Sequence, residues 1–357
     1  MVRSGTRRAT TLSTLAISIL VFSACAGGGA GSAAPSGAVP SAGASGASGD
    51  VYQLHMRMTP SNAAWVVAQD EGLFDRINLE YELVGYGESA QLFLAGEDPV
   101  GQESPWEAAR FQSEGEDISY FGTPSALNFY SGLIIQSANS ETYKTLTDLK
   151  GKKLGHPGFG TGTWQAFEII AKANYGMDAR TDFVPVEADP GALLGLLQTG
   201  EIDATINFTG QTATSLTRPE FAVILNFSEE WEKSHGQPLV INGPMARRSW
   251  LDENTDVARR LVAGVDAGLQ WMKDHPEEFR KGGKYASIVE GEGWFTDDAT
   301  TDKVHELLQD GTWYLKADQF TQEWVDSVYE FISQGKGVFA EEIPPKDKVF
   351  YLPLLQD

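Results

Sequence analysis

Residues 156–167 read HPGFGTGTWQAF and place glycines at three alternate positions just before an apolar, helix-like run. Glycines there let backbone N–H groups converge on a ligand at the start of a helix, as in phosphate-binding loops. A P-loop needs Gly-Lys-Ser/Thr after its glycines, whereas residues 162–164 are Gly-Thr-Trp. A dinucleotide-binding fingerprint is spaced G-x-G-x-x-G, whereas the spacing here is G-x-G-x-G. The stretch therefore predicts either a ligand-binding helix start in the wall of a cleft or a tight turn without a ligand.

The chain around this stretch alternates strand-like and helix-like segments. VYQLHMRM and LEYELVG read as strands, each followed by a helical pattern, and the alternation restarts with helices predicted over 163–174 and 190–199. From Ser249 onward the patterns are mostly helical, with segments near 298–310 and 320–334. Strands that alternate with helices predict an α/β fold with parallel-rich sheets.

Two segments repeat one pattern, LFLAGEDPVGQ at residues 92–102 and LLQTGEIDATI at residues 196–206. Each combines an apolar helix end, a glycine, a glutamate and a short strand. Gly96 and Gly200 stand where a helix C-terminus requires left-handed backbone geometry. The repeat predicts two similar lobes.

Residues 1–24 have the pattern of an export signal, with a basic start, a short apolar core and small residues before Cys25. Cys25 is the only cysteine in 357 residues, and its context resembles the lipobox of bacterial lipoproteins. That resemblance implies cleavage before Cys25 and a lipid anchor (diacylglycerol and fatty acids such as palmitate); the alternative is an incidental thiol. Residues 25–50 consist almost entirely of small residues and are predicted to be a flexible tether.

Composition excludes several other classes of protein. The formal net charge is −22, and nucleic acid is a poor partner because phosphate binding requires clustered Lys and Arg. The five histidines are scattered without the spacing of metal ligands, so we expect neither a metal nor a cofactor. No Ser/His/Asp order is recognisable, and we expect a protein that is not an enzyme.

Several segments in order resemble the periplasmic-type substrate-binding proteins of ABC importers, in the group for nitrate, taurine and thiamine precursors. The segments are VVAQDEGLF, FLAGEDPVG, LLQTGEIDATI, TLTDLKGKKLGHPGFGTGT and DVARRLVAGVDAGLQWMKDHPEEF. The resemblance implies a two-lobed periplasmic-binding-protein-like α/β fold, in which each lobe has a mixed, mostly parallel sheet flanked by helices. Residues 51–137 plus 243–357 would form lobe one and 138–242 lobe two, with hinges near 137–140 and 240–243 and a ligand cleft between the lobes.

The same resemblance implies a function. A monomeric, extracytoplasmic protein, held to the outer face of the membrane by its lipid, would capture a small molecule and deliver it to an ABC permease and its ATPase. Two alternatives from other classes stay open. One is an enzyme, because the fold relatives of this group include a pyrimidine synthase, although the Cys-rich motif of that enzyme is absent here. The other is a lipoprotein that senses a ligand without transporting it.

Ligands of open α/β sheets bind outside the carboxyl ends of the strands. The loops predicted at those ends are rich in aromatic residues and contain no Lys or Arg. The predicted ligand-binding residues are Asn62, Trp65, Tyr86, Gln102, Glu103, Trp106, Phe159, Gly160, Thr161, Thr163, Asn207 and Phe208.

Glu103 decides which ligand is preferred. A carboxylate in the cleft opposes an anion and suits an amino-bearing ring, and aromatic side chains stack on flat heterocycles. The helix start after Gly162 favours an anion instead. We predict a nitrogenous or aromatic heterocycle, with a sulfonate or nitrate as the alternative. The alternative placement of Glu103 is a first-turn acid that faces solvent.

Overall fold

The computed structural model describes residues 50–123, 131–207, 209–290, 297–309 and 315–356. The predicted signal sequence, the lipidation site Cys25 and the tether up to residue 49 lie outside the described residues. The first described elements alternate strands and helices as predicted. They are β1 (Tyr52–Met58), α1 (Ala63–Asp70), β2 (Ile77–Leu83), α2 (Tyr86–Leu94), β3 (Val100–Glu103), α3 (Pro105–Ser113) and β4 (Ile118–Tyr120).

The middle of the chain repeats this alternation. Its elements are β5 (Gly132–Gln136), β6 (Lys153–His156), α4 (Gly162–Tyr175), β7 (Val184–Glu187), α5 (Pro190–Thr199), β8 (Ala204–Asn207), α6 (Thr209–Thr217), β9 (Phe221–Asn226) and α7 (Phe227–His235). After one more strand the chain is helical, as its sequence predicts. These elements are β10 (Gly243–Arg247), α8 (Arg248–Glu253), α9 (Thr255–Asp274), α10 (Ala286–Glu290), α11 (Asp298–Gln309), α12 (Gln322–Gln334) and α13 (Lys346–Val349).

The strands form three sheets in the described part of the chain. β1 pairs with β2 in parallel, and β10 lies between β3 and β4, antiparallel to both. The third sheet has the order β7-β6-β8-β5-β9, in which β6 runs parallel to β7 and β8 while β5 runs antiparallel to β8 and β9. The predicted mixed α/β architecture is confirmed.

Each antiparallel pair of strands named above contains either β5 or β10. β10 follows all of the five-stranded sheet in sequence, yet it pairs with β3 and β4, so the chain returns there to the first group of strands. β5 pairs with β8 and β9, which places it in the sheet of residues 138–242. The predicted lobe boundary at residue 137 would separate β5 from the sheet in which it lies. The sequence could not show this, because an apolar strand pattern does not reveal which strand is its partner. The division into lobes otherwise stays a prediction.

The core is one large cluster of buried apolar side chains that draws on both groups of strands, with a smaller cluster around Leu193 and Leu197. Helices α1 and α9 pack closely, because Gly268 of α9 leaves room for the backbone carbonyl of Ala64. No helix in the described ranges is long and apolar enough to cross a membrane.

Candidate functional site

The glycine-rich loop closes onto the first turn of α4. Gly158 has a φ of +128°, a backbone conformation that disfavours any side chain. Thr161 caps the helix: its Oγ1 accepts a hydrogen bond from the Trp164 N–H (3.3 Å) and donates one to the carbonyl of Gly158 (2.8 Å). Gly160 is exposed, with open space where a side chain would stand. The loop is thus a preformed turn that presents the start of α4.

The start of α3 faces the start of α4. Ser104 caps α3 by accepting a hydrogen bond from the Glu107 N–H (3.2 Å), and Pro105 occupies the first helical position. The indole Nε1 of Trp106 donates a hydrogen bond to the carbonyl of Gly162 (3.1 Å). Helix α3 follows β3 of the three-stranded sheet, and α4 follows β6 of the five-stranded sheet. This bond therefore joins the two groups of strands.

Gly162 is the point of closest approach. A Cβ atom on Gly162 would lie 3.3 Å from Ser104 Oγ and 3.5 Å from both Trp106 Nε1 and Glu107 Oε2. Glycine at this position therefore lets the first turn of α3, with its carboxylate, lie directly against the first turn of α4. The sequence predicted that Glu103, Trp106 and the α4 start meet in one cleft; the structure brings Trp106 and Glu107 to the α4 start, and the cleft itself stays a prediction.

Two carboxyl groups form the acidic part of the site. Glu103 ends β3, and Glu107 lies in the first turn of α3, near enough for its charge to act on the Glu103 carboxyl. Although part of the Glu103 surface is exposed, its carboxyl is densely surrounded, and this burial raises its pKa well above the usual value. The neighbouring charge of Glu107 raises the pKa further, whereas Arg110 opposes the shift.

Arg110 interacts with Glu107 of this pair and with Glu114 outside it. Its guanidinium lies 2.8 Å from Glu114 and 3.8 Å from Glu107. Arg57, the other basic residue near the predicted loops, pairs with Glu97 and Asp98. The acid pair is therefore only partly neutralised, and an amino group of a ligand would complete its hydrogen bonding.

An aromatic cluster lies on the α4 side of the site. The rings of His156 and Phe159 stack with centroids 4.4 Å apart, and Trp164 lies 4.4 Å from His156 and 5.0 Å from Phe159. Phe159 is 38% exposed, and the guanidinium of Arg180 lies 4.8 Å from its ring centre. A flat ligand that stacks on Phe159 would replace the half-exposed Arg180 side chain.

Several buried polar groups of this cluster have no hydrogen-bond partner in the described ranges. They are His156 Nε2, Thr163 Oγ1 and Trp164 Nε1, all on residues without exposed surface. His156 Nδ1 accepts a hydrogen bond from the Gly158 N–H (3.1 Å), so the ring proton is on Nε2. Burial lowers the pKa of His156, which keeps this ring neutral near pH 7. Buried donors without partners are rare in proteins and point to a missing acceptor.

The other predicted site residues have different surroundings. Trp65 is 2% exposed and packs against Phe74 in the core, so it is no part of the site that we propose below. Asn62 bonds to Thr59 and Asn242, which ties the second crossover to the loop after β1.

Two further predicted residues lie at the ends of strands. Asn207 donates a hydrogen bond to the carbonyl of Pro190 and so fastens the end of β8 to the start of α5. Gln102 lies beside Glu103 in β3, and its Nε2 has no partner among the described residues. Phe208 and the side chain of Tyr86 lie outside what the structure describes.

Sequence reasoning missed Glu107, His156 and Arg180 as members of this site. Glu107 comes four residues after Glu103, a spacing that could have signalled a pair. Arg180 lies in the connection after α4, and no local pattern links it to Phe159. Within the described residues, no group of three His, Cys, Asp or Glu side chains is arranged to hold a metal ion.

Solved structures of other proteins identify the fold. The periplasmic aliphatic sulphonate-binding protein SsuA of Escherichia coli matches with a TM-score of 0.63 and 14% identity, over 84% of this chain and 91% of that one. The periplasmic nitrate-binding protein NrtA of Synechocystis matches with a TM-score of 0.55 and 12% identity, over 86% of both chains. The fold is thus the two-lobed periplasmic-binding-protein fold.

The family follows from the sequence profile described as NMT1/THI5 like, which matches residues 59–279. This protein belongs to the NMT1/THI5-like family. A relative named "Putative thiamine biosynthesis protein", from Haemophilus influenzae, is 25% identical over 232 residues, which cover 63% of this chain and 69% of the relative.

Proposed function

We propose that this protein is the extracytoplasmic solute-binding component of an ABC importer and that it captures a nitrogenous or aromatic heterocycle. Membership of the NMT1/THI5-like family supports the solute-binding role, as do structures whose names describe binding proteins for sulfonate and nitrate. The ligand would be handed to a permease and its ATPase. The protein would act as a monomer, without a cofactor and without turnover.

The observation that carries the ligand class is the acid pair at the start of α3. A charge-assisted hydrogen bond from a carboxylate to an amino group contributes about 1.5–3 kcal/mol, whereas a helix start contributes about 0.3–1 kcal/mol toward an anion. The raised pKa of Glu103 shows how unfavourable an additional negative charge is at this position. An amino-bearing ring that stacks on Phe159 satisfies both the carboxyl groups and the exposed aromatic surface.

A ligand panel tests this proposal. Titration with aminopyrimidines, other flat amines, taurine, alkanesulfonates and nitrate is followed by tryptophan fluorescence and calorimetry. We expect an aminopyrimidine to bind, and we expect Phe159→Ala to weaken that binding about two- to tenfold, since an aromatic pair contributes about 0.5–1.5 kcal/mol. Leu216→Ala removes a side chain of similar exposure, 37%, and should leave affinity unchanged. Micromolar binding of sulfonates or nitrate without binding of heterocyclic amines would contradict the proposal.

Two alternatives have observations in their favour. An anion site is favoured by the sulfonate- and nitrate-binding names of the structural relatives and by the Arg180 guanidinium near Phe159. An enzyme related to pyrimidine synthesis is favoured by the name of the Haemophilus influenzae relative. Mass spectrometry of the panel ligands after incubation separates the enzyme from the binding protein, because only an enzyme changes their mass.

The proposed mechanism is closure of two lobes around the ligand. The three- and five-stranded sheets are the centres of these lobes, and we place the crossovers between β4 and β5 and near 240–243. Trp106 would belong to one lobe and Gly162 to the other, so the hydrogen bond between them would be broken in an open form. Small-angle scattering of the panel samples should show a more compact particle with the ligand bound, and an unchanged curve would argue against closure.

Anchoring through Cys25 is the second part of the proposal. We expect Cys25→Ser to release the protein from the membrane fraction while ligand affinity stays the same, because residue 25 precedes the entire folded body. Fractionation and the mass of the mature N-terminal peptide measure this. A wild-type chain that is found soluble, without lipid and with a different N-terminal residue would overturn the assignment of Cys25.

A further inference from the structure

The two sides of the proposed site have opposite hydrogen-bonding character. On the α3 side, Glu103 at the end of β3 and Glu107 in the first turn of α3 offer carboxyl oxygens. On the α4 side, His156 Nε2 and Trp164 Nε1 are N–H groups without acceptors in the described part of the chain. Glu107 of the α3 side lies against Gly162, at the very start of α4.

The two N–H groups differ from ordinary surface donors. Both residues have no exposed surface, and the hydrogen bond from Gly158 fixes the His156 proton on the unpartnered nitrogen. The rings that surround them, those of Phe159 and Phe167, offer no acceptor oxygen. A buried donor without a partner costs free energy. A ligand that supplies the acceptor when it binds removes that cost.

We propose that the ligand is bipolar: it carries an amino group that binds the Glu103–Glu107 pair and a separate acceptor group that binds the N–H groups of His156 and Trp164. This inference rests on the proposed function, because it assumes that the ligand lies between the starts of α3 and α4. The acceptor is a carbonyl oxygen or an equivalent polar atom on the ring. The site thus selects for two groups on one molecule, and a molecule with either group alone binds less tightly.

Three related pyrimidines test the inference. Cytosine carries an amino group and a carbonyl group, 4-aminopyrimidine lacks the carbonyl, and pyrimidin-2-one lacks the amino group. Calorimetry should give the highest affinity for cytosine. 4-Aminopyrimidine should bind about three- to tenfold more weakly, which corresponds to the loss of one neutral hydrogen bond, and pyrimidin-2-one about ten- to a hundredfold more weakly, which corresponds to the loss of a charge-assisted one.

Variants assign each group of the ligand to its side of the site. His156→Phe preserves the stacked ring but removes the donor, so the affinity for cytosine should fall while that for 4-aminopyrimidine stays constant. Trp164→Phe provides the same comparison if His156→Phe does not fold. His305→Phe is the matched control: His305 is also buried with both ring nitrogens unpartnered among the described residues, but it lines a cavity with Arg280 and Asp302. It should change neither affinity.

The outcomes separate this inference from the proposed function. If the three pyrimidines bind equally, or if His156→Phe weakens cytosine and 4-aminopyrimidine by the same factor, the bipolar ligand is overturned while a heterocycle-binding protein remains. If taurine binds and the pyrimidines do not, the proposed heterocycle class is overturned. Failure of all four compounds to bind overturns both.

Discussion

Gly268→Ala is expected to lower the free energy of unfolding by about 3 kcal/mol, at the upper end of what overpacking costs. The added Cβ would lie 2.2 Å from the carbonyl oxygen of Ala64 and 3.2 Å from the Cβ of Ala68. The first contact is with backbone inside α1, so no side-chain rotation relieves it. Helices α1 and α9 must move apart, and the apolar contacts between them are lost.

Two other helical glycines provide matched controls. Gly264, one turn earlier in α9, would place its Cβ 2.1 Å from the ring of Phe74, a side chain that can shift, so its alanine variant should cost less. Gly195 in α5 has open space around it, and Gly195→Ala should stabilise the protein by about 0.5–1 kcal/mol. Urea unfolding of the three variants measures this order. Equal effects for Gly268→Ala and Gly195→Ala would show that the helices are not in close contact.

Local patterns predicted the elements well where their ends are chemically marked. Helix α5 was predicted over 190–199 and spans Pro190–Thr199, because Pro190 starts the helix and Gly200 ends it with a φ of +75°. Gly96, its counterpart in the repeat, has a φ of +77°, which confirms the predicted left-handed geometry there. Strand pairing was harder to predict, because the run GLIIQ of β5 suits any buried sheet position.

The site was only partly predictable for a related reason. Strand ends can be located in the sequence, so Glu103 and the start of α4 were both assigned to a cleft. The burial of a side chain, by contrast, cannot be predicted from its residue type alone. Trp65 and Phe159 are both aromatic residues near helix starts, yet one lies in the core and the other is exposed. The contact between Phe159 and Arg180 depends on how the connection after α4 folds back, which periodicity does not encode.

Glu103→Gln is expected to weaken binding of an aminopyrimidine about ten- to a hundredfold, because a charge-assisted hydrogen bond of about 1.5–3 kcal/mol is replaced by a neutral contact. Glutamine has the shape of the protonated acid but cannot become a carboxylate. The binding surface is therefore preserved, while residue 103 can no longer give up a proton and accept a charge-assisted hydrogen bond from the ligand. Calorimetry at constant pH measures the loss, and Glu80→Gln, on the exposed side of β2, controls for the change in net charge.

The same substitution should stabilise the ligand-free protein, and increasingly so as the pH rises. The pKa of Glu103 is raised in the folded state, mainly by burial, so the folded chain binds more protons than the unfolded chain between the ordinary carboxyl pKa and the raised one. Across that window the wild type loses stability as pH increases, whereas glutamine does not titrate. The unfolding midpoint of Glu103→Gln should thus exceed that of the wild type more at pH 8 than at pH 4. A difference that is independent of pH, or a variant less stable than the wild type at pH 8, would show that Glu103 is not held as a buried acid. A gain in stability that accompanies the loss of affinity would instead identify Glu103 as a residue maintained for binding at the expense of the fold.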